Sequence, residues 1–314
     1  MGDPNGIGPE LILKAYKEKE IKEDFFVVGD IEVLSFCNEL LRYFVPIKEI
    51  FDLENLDFNY LNVINLNLLK KEEIEIGKIS KKSGIAAKGY LDKAANLAIE
   101  KKINAIVTLP INKEAVRLSD PSFTGHTKFL AQKCNQTNYT MMLATEKMFV
   151  THVSTHVSLK DAINLVKKEK ILSVIRLTQF YLKKFLKNPK LAVAGLNPHA
   201  GENGSFGNEE INEIIPAVLT AQKEGINIEG PISPDVVFSK AKQGIYDAIV
   251  CMYHDQGHIP MKLLDFEGGV NITLGLDFTR TSVDHGTAFD IAYKGISSPK
   301  SLINAYKYAL KLLF

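Results

Sequence analysis

The sequence predicts an α/β fold with largely parallel strand pairing. Short apolar runs alternate with stretches of helical spacing along most of its 314 residues. Strands buried on both faces read as continuous apolar runs, and parallel neighbours need helical crossovers between them. One segment, NYTMMLATEKMFVTHVSTH (138–156), breaks the alternation and suggests a second domain built around the middle of the chain.

The elements follow in order. MGDPNGIGPEL is a glycine-rich turn opening a helix, with Pro9 near the first helical position. Such turns follow a strand, so a truncated chain or a start further upstream is expected. The turn could cradle a phosphate at the helix N-terminus. FFVVGD (25–30) reads as a buried strand and 31–44 as a helix. Residues 83–103 form an amphipathic helix, and NAIVTLP (104–110) a strand stopped by Pro110. Residues 138–156 read as two extended pieces joined near Glu146 and Lys147, a hairpin. KLAVAGLNP (190–198) and YDAIVCMY (246–253) are further strands, with helices over 158–187, 208–224 and 299–313.

Composition excludes several classes. The chain is 46% hydrophobic and 24% charged with a formal net charge of +1, so nothing marks a nucleic-acid or membrane-surface binder. No apolar run reaches the roughly 18 residues of a membrane span, and no secretory signal pattern opens the chain. Cys37, Cys134 and Cys251 are too scattered for a disulfide framework or a thiolate zinc site, and a reducing cytoplasm fits them.

The histidines carry more information. All seven lie between His126 and His285. Ligands in α/β folds gather at the C-terminal ends of strands. Three clusters sit there: THVSTH with His152 and His156, NPHAGENGSFGNEE with His199 and Glu202, and YHDQGH with His254, Asp255 and His258. Imidazoles from three strand ends can converge on one divalent metal, or each can cap a strand or bond a carbonyl. His156, at a loop mouth, is favoured over His152, which reads as a strand residue. His126 and Thr127 precede a helix that Thr127 could cap and whose amides could take an anion. Lys113 could steer an anion or simply be solvated. Lys262, Asn271 and Arg280 lie in or beside the polar-rich segment 262–295. Arginine is scarce here, and Arg280 could fork to a phosphate or carboxylate. In DHGTAFD a small-residue turn would let a flat ring approach the backbone.

Taken together, MGDPNGIGPE, GKISKKSG, TLPINKEAV, FTGHTKFLA, NPHAGENGSFGNEE, GPISPDVVF, YHDQGHIPMK and VNITLGLDFTRTSVDHGTAFDIA resemble the 4-hydroxythreonine-4-phosphate dehydrogenase family of pyridoxal phosphate biosynthesis, in family order up to about residue 293. DHGTAFDIAYKGISSP also resembles the cofactor loop of isopropylmalate and isocitrate dehydrogenases. The resemblance implies two α/β/α domains with a cleft between them. The expected boundaries are 1–118 plus 270–314 on the cofactor side, and 119–269 on the metal and dimer side.

It further implies a homodimer with its site at the interface. His156, His199 and His254 would hold zinc, magnesium or cobalt. His126, Thr127, Lys262, Asn271 and Arg280 would contact substrate, and His285, Gly286 and Thr287 would lie near NAD or NADP. The implied reaction is oxidation of the C3 hydroxyl of 4-phosphooxy-L-threonine, then loss of CO₂ to give 3-amino-2-oxopropyl phosphate. The metal would act as Lewis acid, with Lys262 as leading base and Asp255 second. His258 stands where the family more often has an apolar residue, and reads as a neighbour of the site. Rival readings are a dehydrogenase of phosphothreonate or phosphoerythronate, an acyl or phosphoryl transferase of similar fold, and a non-catalytic metal binder.

Overall fold

The computed structural model describes residues 1–21 and 25–313. Chain order is α1 (Gly8–Lys17), β1 (Val27–Gly29), α2 (Ile31–Leu41), β2 (Ile47–Ile50), β3 (Leu61–Asn65), α3 (Lys81–Ile99), β4 (Ala105–Thr108), α4 (Lys113–Arg117) and α5 (His126–Lys133). There follow β5 (Thr140–Ala144), β6 (Phe149–His152), α6 (Leu159–Leu165), α7 (Lys168–Leu182), β7 (Leu191–Ala194), α8 (Ile215–Lys223), β8 (Ile228–Ile232) and α9 (Pro234–Lys242). The last are β9 (Ala248–Cys251), α10 (His254–Leu264), β10 (Val270–Leu274), β11 (Thr279–Val283) and α11 (Lys300–Lys311). The fold is α/β, as the alternation requires. Among the described residues, no helix is long and apolar enough to cross a membrane.

The chain forms two compact units, residues 1–135 with 277–314, and residues 136–276. In the first, β2, β3 and β1 pair in parallel, and β4 pairs in parallel with β11. Leu11, Leu13, Leu34, Leu61 and Val63 are fully buried in its core. Helix α3 packs against α4 so closely that a Cβ on Gly84 would stand 2.2 Å from the Ala115 carbonyl oxygen. Only glycine permits that approach.

The second unit has the strand order β10-β5-β6-β9-β7-β8. β5 runs antiparallel to both β10 and β6, and the remaining pairs are parallel. The 138–156 segment is therefore the hairpin expected, and it adds two antiparallel pairs to strands that otherwise pair in parallel. Side chains alternate across β6. Thr151 points to α7, where its hydroxyl meets that of Thr178 at 2.9 Å. Val150 and His152 point the other way, to α10.

Two helical expectations need correction. The stretch 158–187 is two helices: Ser158 caps α6, Lys167 is extended, and α7 restarts at Lys168. The new end is satisfied from far away, since Glu213 accepts the Lys168 amide at 2.7 Å. The stretch 208–224 opens with a π turn at Glu210–Ile214 before α8. Pro216 has no amide to donate to the carbonyl four residues back, so the ladder changes register there.

Candidate active site

The first unit assembles a cationic pocket. Arg280 stands on β11 opposite Ile106 of β4 and is 3% exposed. Its guanidinium donates to the Thr108 hydroxyl at 2.6 Å and reaches the Thr127 hydroxyl at 3.5 Å. Burial lowers its pKa to about 9, which leaves it charged at neutral pH. Thr127 does not cap α5. The cap is Gly125, at φ 133°, with no side-chain bond, and Thr127 lies in the first turn facing Arg280. His126 is pushed well below the usual imidazole range, by burial first and then by the positive charges of Arg280, the N-terminus and Lys113. It is a neutral donor among cations. The Lys113 side chain lies 3.1 Å from where a Cβ on Gly125 would stand. A helix N-terminus, a buried arginine and a neighbouring lysine form a site for an anionic oxygen group.

The glycine-rich turn of residues 3–8 stands against the 285–287 loop in the same unit. The Ile7 amide donates to the Thr287 carbonyl at 3.1 Å, and a Cβ on Gly6 would approach that oxygen to 2.9 Å. Asn5 ties the turn to residues 75–78 through bonds at 3.0 and 2.9 Å. The turn is buried and its Ile7 amide is taken, so it is a packing element rather than an open phosphate cradle. Gly286 is exposed, and a Cβ there would meet nothing within 4 Å. That open backbone, with His285 and Thr287 beside it, suits the close approach of a nucleotide. Asp3 lies beneath the turn. Burial pushes its carboxyl up to about 6 against hydrogen bonds from Asn5, Asn112 and Ser83.

The second unit gathers imidazoles at the ends of adjacent strands. His152 ends β6, His254 opens α10 just beyond β9, and His199 follows β7. β6, β9 and β7 are neighbours in register, so all three stretches leave the same edge of the sheet. His156 and His254 face each other with ring centres 5.5 Å apart. Two imidazoles on one tetrahedral ion, with metal–nitrogen bonds of about 2.0 Å, have ring centres about 5 Å apart. The His254 Nδ1 lies 2.7 Å from Asp255 Oδ1. A carboxylate only accepts, so Nδ1 carries the proton and Nε2 keeps its lone pair for a ligand. Carboxylates orient metal-binding histidines in this manner.

His199 is held differently. Residues 199–203 form a run with φ between 40° and 81°, including the non-glycines His199, Ala200, Glu202 and Asn203. Each costs of order 1 kcal/mol outside glycine, and such strain concentrates at ligand-binding sites. The buried carboxylate of Glu210 anchors the loop. Its Oε1 accepts the amides of Leu196 and Asn197 at 2.7 and 2.8 Å, and its Oε2 accepts the Asn197 side-chain amide at 2.9 Å. The His199 ring lies exposed, 6.2 Å from that of Phe206. Among the described residues, no three His, Cys, Asp or Glu side chains stand close enough to hold a metal ion. His156 and His254 thus meet in one chain, and His199 stands apart from them. The donors themselves are of the right kind: imidazoles at an open strand-end edge, one already oriented by a carboxylate.

The other expected residues are placed as follows. Lys262 is two turns along α10 from His254, its ammonium 5.2 Å from the Phe266 ring centre. Asn271 stands on β10 opposite Leu143, and its amide nitrogen donates to the Met141 sulfur. Asp255 is engaged with His254, which gives it an orienting role before any part in proton transfer. Four residues carry structure that the sequence did not single out: Glu210, Asp3, Thr108 and Gln256. Gln256 accepts the Met252 amide at 2.7 Å and donates to the Gly195 carbonyl at 2.7 Å, joining the end of β9 to that of β7. An acidic pair after a glycine-rich loop was the available signal for Glu210.

Fold and site together define an α/β protein of the dehydrogenase type, with a buried cationic pocket and clustered strand-end imidazoles. Its fold is shared by an isocitrate dehydrogenase from Methylococcus capsulatus, at 14% identity and a TM-score of 0.50. The chain belongs to the family described as pyridoxal phosphate biosynthetic protein PdxA, which matches residues 21–309. It is 45% identical to a 4-hydroxythreonine-4-phosphate dehydrogenase of Aquifex aeolicus, over 100% of this chain and 97% of that one. It is 40% identical to a D-threonate 4-phosphate dehydrogenase of Pectobacterium atrosepticum, over 99% and 97%. A crystal structure of 4-hydroxythreonine-4-phosphate dehydrogenase from Klebsiella pneumoniae superimposes with a TM-score of 0.88 at 40% identity, covering 99% of this chain and 96% of that one.

Proposed function

We propose that the protein is a metal-dependent, NAD(P)-linked dehydrogenase of a phosphorylated four-carbon hydroxy acid. The substrate of the reading is 4-phosphooxy-L-threonine, converted to 3-amino-2-oxopropyl phosphate in pyridoxal phosphate biosynthesis. D-threonate 4-phosphate is the second reading, because a relative at 40% identity carries that name. The two substrates share a phosphate, a C3 hydroxyl and a C1 carboxylate, and differ at C2.

The single observation that carries the reading is the Arg280 pocket, a buried guanidinium bonded to Thr108 and Thr127 at the N-terminus of α5. Arg280, Thr127 and neutral His126 take the phosphate. His156, His199 and His254 would hold the divalent ion, not all three from one chain of the dimer, with Asp255 fixing the His254 tautomer. Held there, a divalent ion would supply Lewis acidity at the hydroxyl being oxidised. A bound nicotinamide would accept the C3 hydride, and Lys262 receives the hydroxyl proton. The carboxylate then departs as CO₂, and the carbon that bore it takes up a proton. His285, Gly286 and Thr287 border the adenosine part of the cofactor, and Asn271 contacts the substrate. The working unit is a homodimer. Exposed Ile259, Leu263 and Phe266 on and just after α10 support it, since apolar patches of this kind mark subunit contacts.

The test is NAD(P) reduction by the metal-free chain titrated with Zn²⁺, Co²⁺ or Mg²⁺, on each phosphorylated substrate. The reading expects turnover that rises with metal and saturates at one ion per chain. Turnover indifferent to a chelator would overturn the metal assignment.

A further inference from the structure

We infer that His258 is a positioning residue for His254, holding that imidazole by a face-to-face stack. This role rests on the metal reading above. The rings of His254 and His258 lie 3.6 Å apart, centre to centre, and 9° from parallel. Rings so stacked cannot both turn a nitrogen to one tetrahedral ion, whose imidazoles stand about 5 Å apart. His258 is therefore excluded as a co-ligand of His254.

His258 is itself fixed from two sides. Its Nδ1 lies 3.0 Å from the His254 carbonyl oxygen, which can only accept, so Nδ1 donates. Behind it, the ring of His152 packs at 4.8 Å and 38°. His152 is 1% exposed and packs ring to ring against His258. Gly257 makes this contact possible. A Cβ there would stand 2.4 Å from His152 Nε2 and 2.6 Å from Val150 Cγ1, so no larger residue lets α10 press onto β6.

The result is a row of imidazoles from core to surface: His152, His258, His254, His156. His254 is gripped by the His258 ring on one face and by the Asp255 carboxylate at Nδ1, leaving Nε2 with one direction to point. Residues that orient a metal ligand are worth about 10- to 100-fold in metal affinity.

Three chains test this: wild type, His258→Leu and His258→Phe, each stripped of metal and titrated with Zn²⁺ against a chromophoric chelator. His258→Leu should bind Zn²⁺ about tenfold more weakly. His258→Phe, which keeps a ring to stack, should stay within about threefold. The visible absorption of the Co²⁺-loaded chains should shift for leucine and hold for phenylalanine. Wild-type affinity and spectrum in His258→Leu would overturn the role, and so would equal losses in both variants. Should the variants fail to fold, the metal-free wild type decides: stacking moves the His254 ring-proton resonances upfield, and unshifted resonances overturn the proposal. A wild-type chain that binds no Zn²⁺ would overturn the metal reading itself, and this role with it.

Discussion

Truncating Glu210 to alanine removes the anchor of the His199 loop. Its carboxylate accepts the backbone amides of Leu196 and Asn197 and the Asn197 side chain, at 2.7 to 2.9 Å, and the residue is 1% exposed. Hydrogen bonds to a charged group contribute about 1.5–3 kcal/mol each, and water entering the gap would recover part of that. A net loss of about 3 kcal/mol follows for Glu210→Ala. Glu210→Gln keeps one oxygen for the two backbone amides and should cost only about 1 kcal/mol. At about 1.5 °C per kcal/mol for a chain of 314 residues, the alanine variant should melt about 4–5 °C lower. Calorimetry reads this directly. The same variant should bind Zn²⁺ about tenfold more weakly, because the loop carrying His199 is released. Melting within 2 °C of wild type, with unchanged Zn²⁺ affinity, would refute the anchoring argument.

Other outcomes follow from the same geometry. Ala200 sits at φ 53°, so Ala200→Gly should be neutral or stabilising by up to about 1 kcal/mol in chemical denaturation, where a right-handed position would lose stability. Arg280→Lys keeps the charge but loses the fork, so KM for the phosphorylated substrate should rise at least about tenfold while KM for the nicotinamide holds. Asp3 has its folded pKa raised to about 6, so the folded state binds the extra proton between roughly pH 4 and 6. That contribution is present at low pH and lost as pH rises. Asp3→Asn should therefore gain stability over wild type above pH 6, by at most about 3 kcal/mol, and the gain should vanish near pH 4.

Much of the fold was legible because period and punctuation agree. The β5–β6 hairpin follows from two apolar runs around Glu146 and Lys147, and α3 from the amphipathic spacing over 83–103. What was not legible depends on partners distant in sequence. Helix α7 begins at Lys168 because Glu213, far along the chain, accepts its first amide. The π turn before α8 follows from Pro216, but a proline near a helix start ordinarily reads as a first-turn residue. At the site, the clustering of histidines at strand ends was visible. The His254–His258 stack was not, because an i, i+4 spacing places two rings on one helix face without saying whether they stack or both turn outward. Glu210 was missed because a buried carboxylate taking three donors reads, in sequence, as surface charge.

The most direct test of the central claim measures NAD(P)H and CO₂ together on 4-phosphooxy-L-threonine, on D-threonate 4-phosphate, and on both after dephosphorylation. The account predicts one CO₂ per NAD(P)H with a phosphorylated substrate and metal present, and at least about a hundredfold loss of kcat/KM without the phosphate. Equal rates with and without the phosphate, or no reduced nicotinamide from either phosphorylated acid, would contradict it.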